Sequence, residues 1–320
     1  MKGLENSNNM RHLIPISGKD SLATAILQRA HVPHLNYEYI FNPTGSEYEE
    51  VFEWLEKVEQ YLGSPIIRVG ENLEEIIERK GFFLPGPKTR YCTEQSKINP
   101  FKQYVGTEPV TVYFGIRADE ERVGFDNSKT PHIIPNYPLK DHGIDIRGVY
   151  ILLNSVGLKP PVFFWGKLFD AVQRLFPGVD LKSRLDEITF DILFSGRTRA
   201  NCFHCFNQSE IEWVWLYFEK PDLFEKSKWY ESQGSKPEEV KEIDVLGEIF
   251  EYVKPQKNYH WNSDYSLDIL ASRAEKIFKK HVLKVAGAIQ IYLNQGKLTD
   301  TRGGSIDILS ATSCGLFCGK

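Results

Sequence analysis

No apolar run in this sequence approaches ~18 residues, so no segment is long enough to cross a bilayer as a helix. The opening residues, Met1-Lys2-Gly3-Leu4-Glu5-Asn6, lack the apolar core of a signal peptide. A cytoplasmic location with no membrane partner is the resulting expectation. Neither sign of charge is in large excess: 39 Lys and Arg against 43 Asp and Glu leave a formal −4. That excludes coating of nucleic acid by bulk electrostatics, although a local basic groove remains open. The P-loop spacing G-x-x-x-x-G-K-[ST] is absent, which removes the ordinary kinase and GTPase readings. No Ser-His-Asp or H-E-x-x-H pattern, internal repeat or low-complexity tract is present. Cysteine is scarce and odd in number, at five, which favours metal or thiol chemistry over a disulfide frame.

What is present belongs to a large folded chain. At 320 residues and 41% hydrophobic content it can bury a substantial core. Strand and helix patterns alternate through the first half. Residues 13–16, 37–41, 65–69 and 110–115 read as strands, and the last is a near-continuous apolar run of the kind buried in parallel sheets. Residues 20–30 and 46–62 read as helices, Leu73, Ile76 and Ile77 mark a short one, and another starts from Asp145. Helices between such strands imply right-handed crossovers and an α/β, doubly wound, mostly parallel sheet. Ligands of that architecture bind beyond the carboxyl ends of the strands, where the loops after residues 16, 41 and 115 fall. The second half is aromatic and helical, with a strong helix from Leu267 to Leu293 and a polar loop at 232–237. Residues 1–195 are thus expected to form a nucleotide-binding domain and 196–320 a cysteine-containing helical extension. Trp213, Trp215 and Trp229 are expected in the core rather than as a base-stacking platform.

The first predicted strand runs through Ser17-Gly18 directly into a helix that starts Lys19-Asp20-Ser21. Such a turn aims backbone N–H groups and the positive end of the helix dipole at one point, where anions are favoured. Gly18 is expected to allow close approach or positive φ, and Lys19 supplies a cation. Asp20 is a candidate either for Mg²⁺ or for capping the helix.

Ser17-Gly18-Lys19-Asp20-Ser21 resembles the pyrophosphate loop S-G-G-K-D-S of the adenine nucleotide α-hydrolase-like superfamily, with one glycine where that motif has two. Thr44-Gly45-Ser46-Glu47 resembles the T-G-x-E of phosphoadenosine phosphosulfate (PAPS) reductases. Arg90-Tyr91-Cys92-Thr93 through Lys97 to Pro100 resembles their R-x-C-T-x-x-x-K-x-x-P segment. Gly115-Ile116-Arg117-Ala118-Asp119-Glu120-Glu121-Arg122 resembles their G-x-R-A-D-E-S block, with Glu where Ser is usual. Tyr137 to Asp141 resembles their P-L-x-D-W element, with His142 in place of Trp, and Arg197 to Gln208 extends the match. The blocks occur in the family's order, and the chain is identified as a member of the PAPS reductase-like superfamily. Lys19, Arg90, Lys97, Arg117 and Arg122 would then meet the charges of an adenine nucleotide, ATP or PAPS. The resemblance implies that Ser17, Gly18, Asp20, Ser21, Thr44, Gly45 and Asp119 line that site, with Asp20 and Asp119 as candidates to hold Mg²⁺ against the phosphates.

The cysteines fall at Cys92, Cys202 and Cys205, and Cys314 and Cys318. Two close pairs suit thiolate ligation of Zn²⁺ or an iron–sulfur cluster, with Cys92 as another candidate ligand. Arg197 and Arg199 precede the first pair and are expected to lower thiol pKa values. His204, among these cysteines, is expected to be a loop side chain rather than a ligand. Ser313-Cys314-Gly315-Leu316 also resembles the E-C-G-L-H tail of the reductases, which implies Cys314 as a nucleophile and Cys318 as a resolving thiol or ligand. Three functions follow from the resemblance. One is ATP pyrophosphatase-type adenylation of an acceptor for sulfur insertion, similar to that of DNA phosphorothioation systems, in which Lys19 and Arg117 would act on the phosphates. Its partners would be a nucleic acid acceptor and a sulfur donor such as a cysteine desulfurase. The second is thiol-dependent reduction of PAPS or adenylyl sulfate to sulfite. The third is a nucleotide-binding subunit of a defence or modification complex without turnover.

Overall fold

A computed structural model describes residues 10–197, 202–234, 239–243, 249–253, 260–261 and 265–296. Its centre is a five-stranded, all-parallel sheet of β1 (Arg11–Pro15), β2 (Tyr37–Phe41), β3 (Ile66–Arg68), β4 (Val110–Tyr113) and β5 (Ile133–Asn136). The strand order is β3-β2-β1-β4-β5. The chain winds outward from β1 through α1 (Lys19–His31), β2 and α2 (Glu49–Leu62) to β3, and then crosses to the other side of β1. The topological switch therefore lies between β1 and β4, where the carboxyl ends of open α/β sheets bind ligands.

Neighbouring residues of each strand face opposite layers, and both layers are filled. Leu13, Ile40, Val110, Val112 and Ile133 pack with Phe101 and Val105 of α5 (Asn99–Val105). Ile14, Tyr39, Phe41 and Tyr113 belong to the other layer. There they join α1, α2, Leu139 of α6 (Pro138–Asp141) and Val149 and Leu153 of α7 (Ile146–Val156). Burial on both faces explains why β4 reads as a near-continuous apolar run instead of an alternating one. The α/β doubly wound architecture expected from the sequence is the one present.

Between β3 and β4 lie α3 (Leu73–Arg79), one short turn α4 (Tyr91–Thr93) and a π-helical turn at Glu94–Ile98 that leads into α5. Beyond α7 come α8 (Gly166–Gln173), α9 (Leu181–Arg184), α10 (Glu187–Phe194), α11 (Glu210–Glu219) and α12 (Pro221–Gly234). A two-stranded antiparallel ribbon, β6 (Glu239–Ile243) and β7 (Ile249–Val253), precedes the long α13 (Leu267–Gln295). The polar stretch at 232–237 departs from the expected loop at its start, where α12 continues to Gly234; residues 235–238 lie outside the described residues. The apolar cluster that holds Ile14 also takes in Trp213, Trp215 and Ile289, so the later helices share its core. Trp213 and Trp215 are buried as expected, whereas Trp229 is about half exposed (47%) beside Phe82. Among the described residues no helix is long and apolar enough to cross a membrane.

Candidate functional site

The turn between β1 and α1 is braced from within. Ser21 Oγ accepts from the N–H groups of Ser17 (2.8 Å) and Gly18 (3.1 Å) and donates to the Gly18 carbonyl (2.9 Å). Two of the donors expected to face an anion are thus occupied, and the first-turn N–H groups of Lys19, Asp20 and Ser21 are those without an intrahelical carbonyl. Gly18 has a φ of 169°, extended backbone open to any residue, so positive φ is not its purpose. A Cβ there would meet nothing within 4 Å, which leaves its outer side clear. Gly115, just past β4, is the glycine this corner requires: a Cβ would stand 2.7 Å from the Asp20 carbonyl carbon and the Ser21 nitrogen.

Arg117 behaves differently from its expected role as a phosphate contact. It is fully buried, and its guanidinium meets both oxygens of Asp20 at 3.2 Å, Asp119 Oδ1 at 2.9 Å and Glu120 Oε1 at 3.0 Å. Burial by itself would lower its pKa, but the charges of Asp20, Glu120 and Asp119 outweigh that and raise it. Arg122 pairs with Glu120, and Lys19 Nζ lies 3.8 Å from Asp20 Oδ2. Three cations therefore balance three carboxylates, where a cation-rich pocket was expected. Arg117 positions this corner, and Lys19, with its side chain 21% exposed, is the cation at its surface. Asp20 and Asp119, the Mg²⁺ candidates, are both engaged by Arg117.

The loop after β2 builds a second centre. The Glu47 carboxylate accepts from the Thr44 N–H (2.9 Å) and the Thr44 hydroxyl (2.6 Å), which folds Thr44-Gly45-Ser46-Glu47 into a tight turn. Gly45 has φ 77°, and a Cβ on it would press on the Asn72 amide at 2.7 Å. Cys202 Sγ lies 3.0 Å from Thr44 Oγ1. Since the Thr44 proton is donated to a carboxylate, the thiol is the donor in that contact. Phe203 N–H donates to the Ser46 carbonyl at 2.8 Å, tying the Cys202–Cys205 turn to the same loop.

Thr44, Arg90, Cys92, Lys97, Cys202 and Cys205, all singled out in the sequence, line one cavity. The R-x-C-T-x-x-x-K segment reaches it through α4 and the π-helical turn, a backbone irregularity frequent at functional sites. None of the three described cysteines is in a disulfide. The expectation of lowered thiol pKa values is overturned for Cys202. Burial pushes it up, the Glu47 charge adds to this, and Lys97 only partly opposes it. The guanidinium of Arg197 lies 5.0 Å from the Tyr48 ring centroid and donates to Gln208 and to the Cys202 carbonyl. Arg199, Cys314 and Cys318 lie outside the described residues.

His204 lies in the turn between α10 and α11, as expected of a loop side chain, but it is fully buried and lines the same cavity. Its ring stacks on Trp261 with centroids 4.5 Å apart and planes 11° apart, and burial lowers its pKa to about 3. Neither ring nitrogen has a hydrogen-bond partner. Its setting among Phe203, Cys205 and Phe206 was the available signal for burial. Glu47, Glu120 and Gly115 join the two centres, and their places inside the T-G-x-E and G-x-R-A-D-E blocks are the sequence signal for them. Three thiols and an orphaned imidazole are a donor set that suits a borderline-soft metal. The donors do not converge: among the described residues no group of three or more His, Cys, Asp or Glu is placed to hold an ion.

No family model matches the chain. An uncharacterized protein of Methanocaldococcus jannaschii is similar to it, 29% identical over 213 residues. That match covers 65% of this chain and 38% of the archaeal protein, so the chain spans well under half the length of that relative.

Proposed function

We propose that this chain is a PAPS reductase-like enzyme that binds an adenine nucleotide at the carboxyl edge of its sheet and acts in sulfur transfer. The observation that carries the reading is the meeting of three cysteines with Thr44, Arg90 and Lys97 in one cavity at the end of β2, the strand next to β1. Thiols and cations at such an edge suit chemistry that joins sulfur to a nucleotide-activated group. The favoured reaction is ATP pyrophosphatase-type adenylation, with Mg²⁺ as counter-ion, of an acceptor that includes nucleic acid as a candidate. Lys19, at the exposed side of the first turn, would meet the phosphates together with the helix-start N–H groups. The acceptor would then take sulfur from a donor such as a cysteine desulfurase.

ATP affinity is the first test. Lys19→Ala should weaken ATP binding tenfold or more with the fold intact, and unchanged affinity would falsify the assignment of the loop. With acceptor, ATP and Mg²⁺, the product should be pyrophosphate and not orthophosphate. A second reading, reduction of PAPS or adenylyl sulfate, draws on the same cations beside thiols, because a sulfate ester is itself an anion. Sulfite formation with thioredoxin and without ATP consumption would select it.

A further inference from the structure

We propose that the exposed face of α13 is a nucleic-acid docking surface, on which Arg273, Lys276, Lys279, Lys280 and Lys284 meet the sugar–phosphate backbone. This deepens the reading above, in which the acceptor includes nucleic acid, and rests on that arm of it.

The chain as a whole carries a formal −4, yet residues 273–284 hold five Lys and Arg against one Glu. All five cations are exposed. At about 100° per residue they cover about 140° of the helix circumference. The opposite side of α13 is buried through Phe278, Val282 and Val285, so packing holds the basic side outward. The carboxylates beside that face are engaged elsewhere: Glu275 pairs with Lys167 at 3.2 Å and Asp268 with Lys228 at 2.9 Å. Among the described residues no ion pair or hydrogen bond engages any of the five cations.

Neither the helix nor the core asks for this arrangement. Lys276, Lys280 and Lys284 follow one another at i, i+4 spacing, where like charges repel and weaken a helix. They precede the last turn, which ends at Gln295, so they do not offset the helix dipole, whose effect fades within a turn. A polyanion laid along the helix turns that repulsion into attraction. An amphipathic membrane contact would bury Leu, Phe or Trp side chains along one face. Leu283 and Ile269 are the exposed large apolar residues of α13 and stand about 21 Å apart along its axis. Protein interfaces are depleted in lysine, whereas phosphate oxygens are ordinary partners of Lys and Arg. From Arg273 to Lys284 the helix rises about 16 Å, roughly the rise of five nucleotides in one strand of a duplex.

Fluorescence anisotropy of the full chain with a short labelled DNA duplex tests this. Affinity should fall steeply with salt as the phosphates regain their counterions. Lys276→Gln/Lys280→Gln/Lys284→Gln should bind at least about tenfold more weakly. It should also flatten the slope of log K against log salt by about 2.7, since each phosphate contact contributes about 0.9. Gln is close to Lys in helix propensity, so α13 should persist in that variant. Lys57→Gln/Lys102→Gln/Lys129→Gln removes the same charge from exposed positions elsewhere and should match the parent. A parent that binds no duplex, or equal loss in the two triple variants, overturns the proposal. Binding to phosphatidylserine vesicles in place of DNA overturns it too and assigns the face to a membrane. Lysine acetylation read by mass spectrometry needs no variant: DNA should protect Lys276, Lys280 and Lys284 and leave Lys57 open. Unchanged labelling of α13 with DNA bound is a further overturning result. ATP affinity of the same samples separates the two readings. Absent DNA binding with ATP binding intact removes only the docking face, and lysine-dependent DNA binding without ATP binding removes only the nucleotide site.

Discussion

Arg117 and Cys202 both hold chemistry in reserve through the partners they already have. Arg117 is itself buried and pairs with the buried Asp20 and Glu120 and with the partly exposed Asp119. Breaking a buried ion cluster by removing one member strands the others, at a cost of roughly 3–5 kcal/mol. Arg117→Ala should therefore lower the melting temperature sharply, in contrast to Lys19→Ala, which should change nucleotide affinity with little effect on stability. Thermal denaturation of the two variants side by side checks this, and equal melting temperatures would count against the positioning role. Cys202 is kept protonated by burial and by the Glu47 charge. Thiol alkylation proceeds through the thiolate. At neutral pH, iodoacetamide should label Cys202 more slowly than the half-buried Cys92 and Cys205, as read by peptide mass spectrometry. Faster labelling of Cys202 would mean that a cation reaches its sulfur.

At the scale of elements, the later helices are joined by a carboxyl group. Glu231 on α12 is buried and accepts from Trp261 N–H at 2.9 Å and Leu267 N–H at 2.8 Å, the latter at the first residue of α13. Trp261 Nε1 also donates to the Ser227 carbonyl at 2.9 Å, so α12 holds the ring on which His204 stacks. Burial raises the Glu231 pKa from 4.5 to about 7, against the opposing pull of those two N–H groups. The folded state thus keeps this proton where the unfolded chain has released it. The stabilisation is complete below pH 4.5 and is lost as the pH rises through about 7. The full difference is on the order of 3 kcal/mol. Between pH 5 and pH 8 the melting temperature should fall by a component that Glu231→Gln removes. Gln supplies one carbonyl where the carboxyl group supplies two oxygens, so that variant should also lose about 1 kcal/mol at every pH. Parallel pH profiles for the two proteins would show that the acid does not titrate with folding.

For the molecule as a whole, the strand order brings separate loops to one edge. Loops after β1, β2 and β4 all leave the carboxyl side of a parallel sheet, so residues 17–21, 44–47 and 115–122 gather without being neighbours in the chain. A ligand bound only by that assembled edge stabilises the folded state by mass action. ATP at about 100-fold above its Kd should add about 2.7 kcal/mol, a rise of several degrees in melting temperature. The shift should vanish in Lys19→Ala. A parent protein that shows no shift at saturating ATP would argue against a nucleotide site at this edge.

The parallel sheet and most of its helices were legible because periodicity is local. The near-continuous apolar run at 110–115, closed by Gly115, reads as a strand buried on both faces, and the long helical pattern from Leu267 reads as a helix. β5 was not legible, since Ile133-Ile134-Pro135-Asn136 is short and its proline argues against a strand except at a sheet edge, which is where β5 pairs with β4. The motifs also named the residues that meet in the two centres. What each does there was beyond them, because charge state and exposure depend on neighbours far away in sequence. Asp20 and Asp119 turn Arg117 from a phosphate contact into a buried brace, across 97 residues in the case of Asp20. Burial and the Glu47 charge hold Cys202 as a thiol, in a loop that Thr44 contacts from 158 residues away. Trp261 and Phe203 leave His204 dry and unpartnered. Sequence spacing sets which donors and cations exist; only folding decides which of them remain unsatisfied, because that depends on what packing puts beside them and on the water it removes.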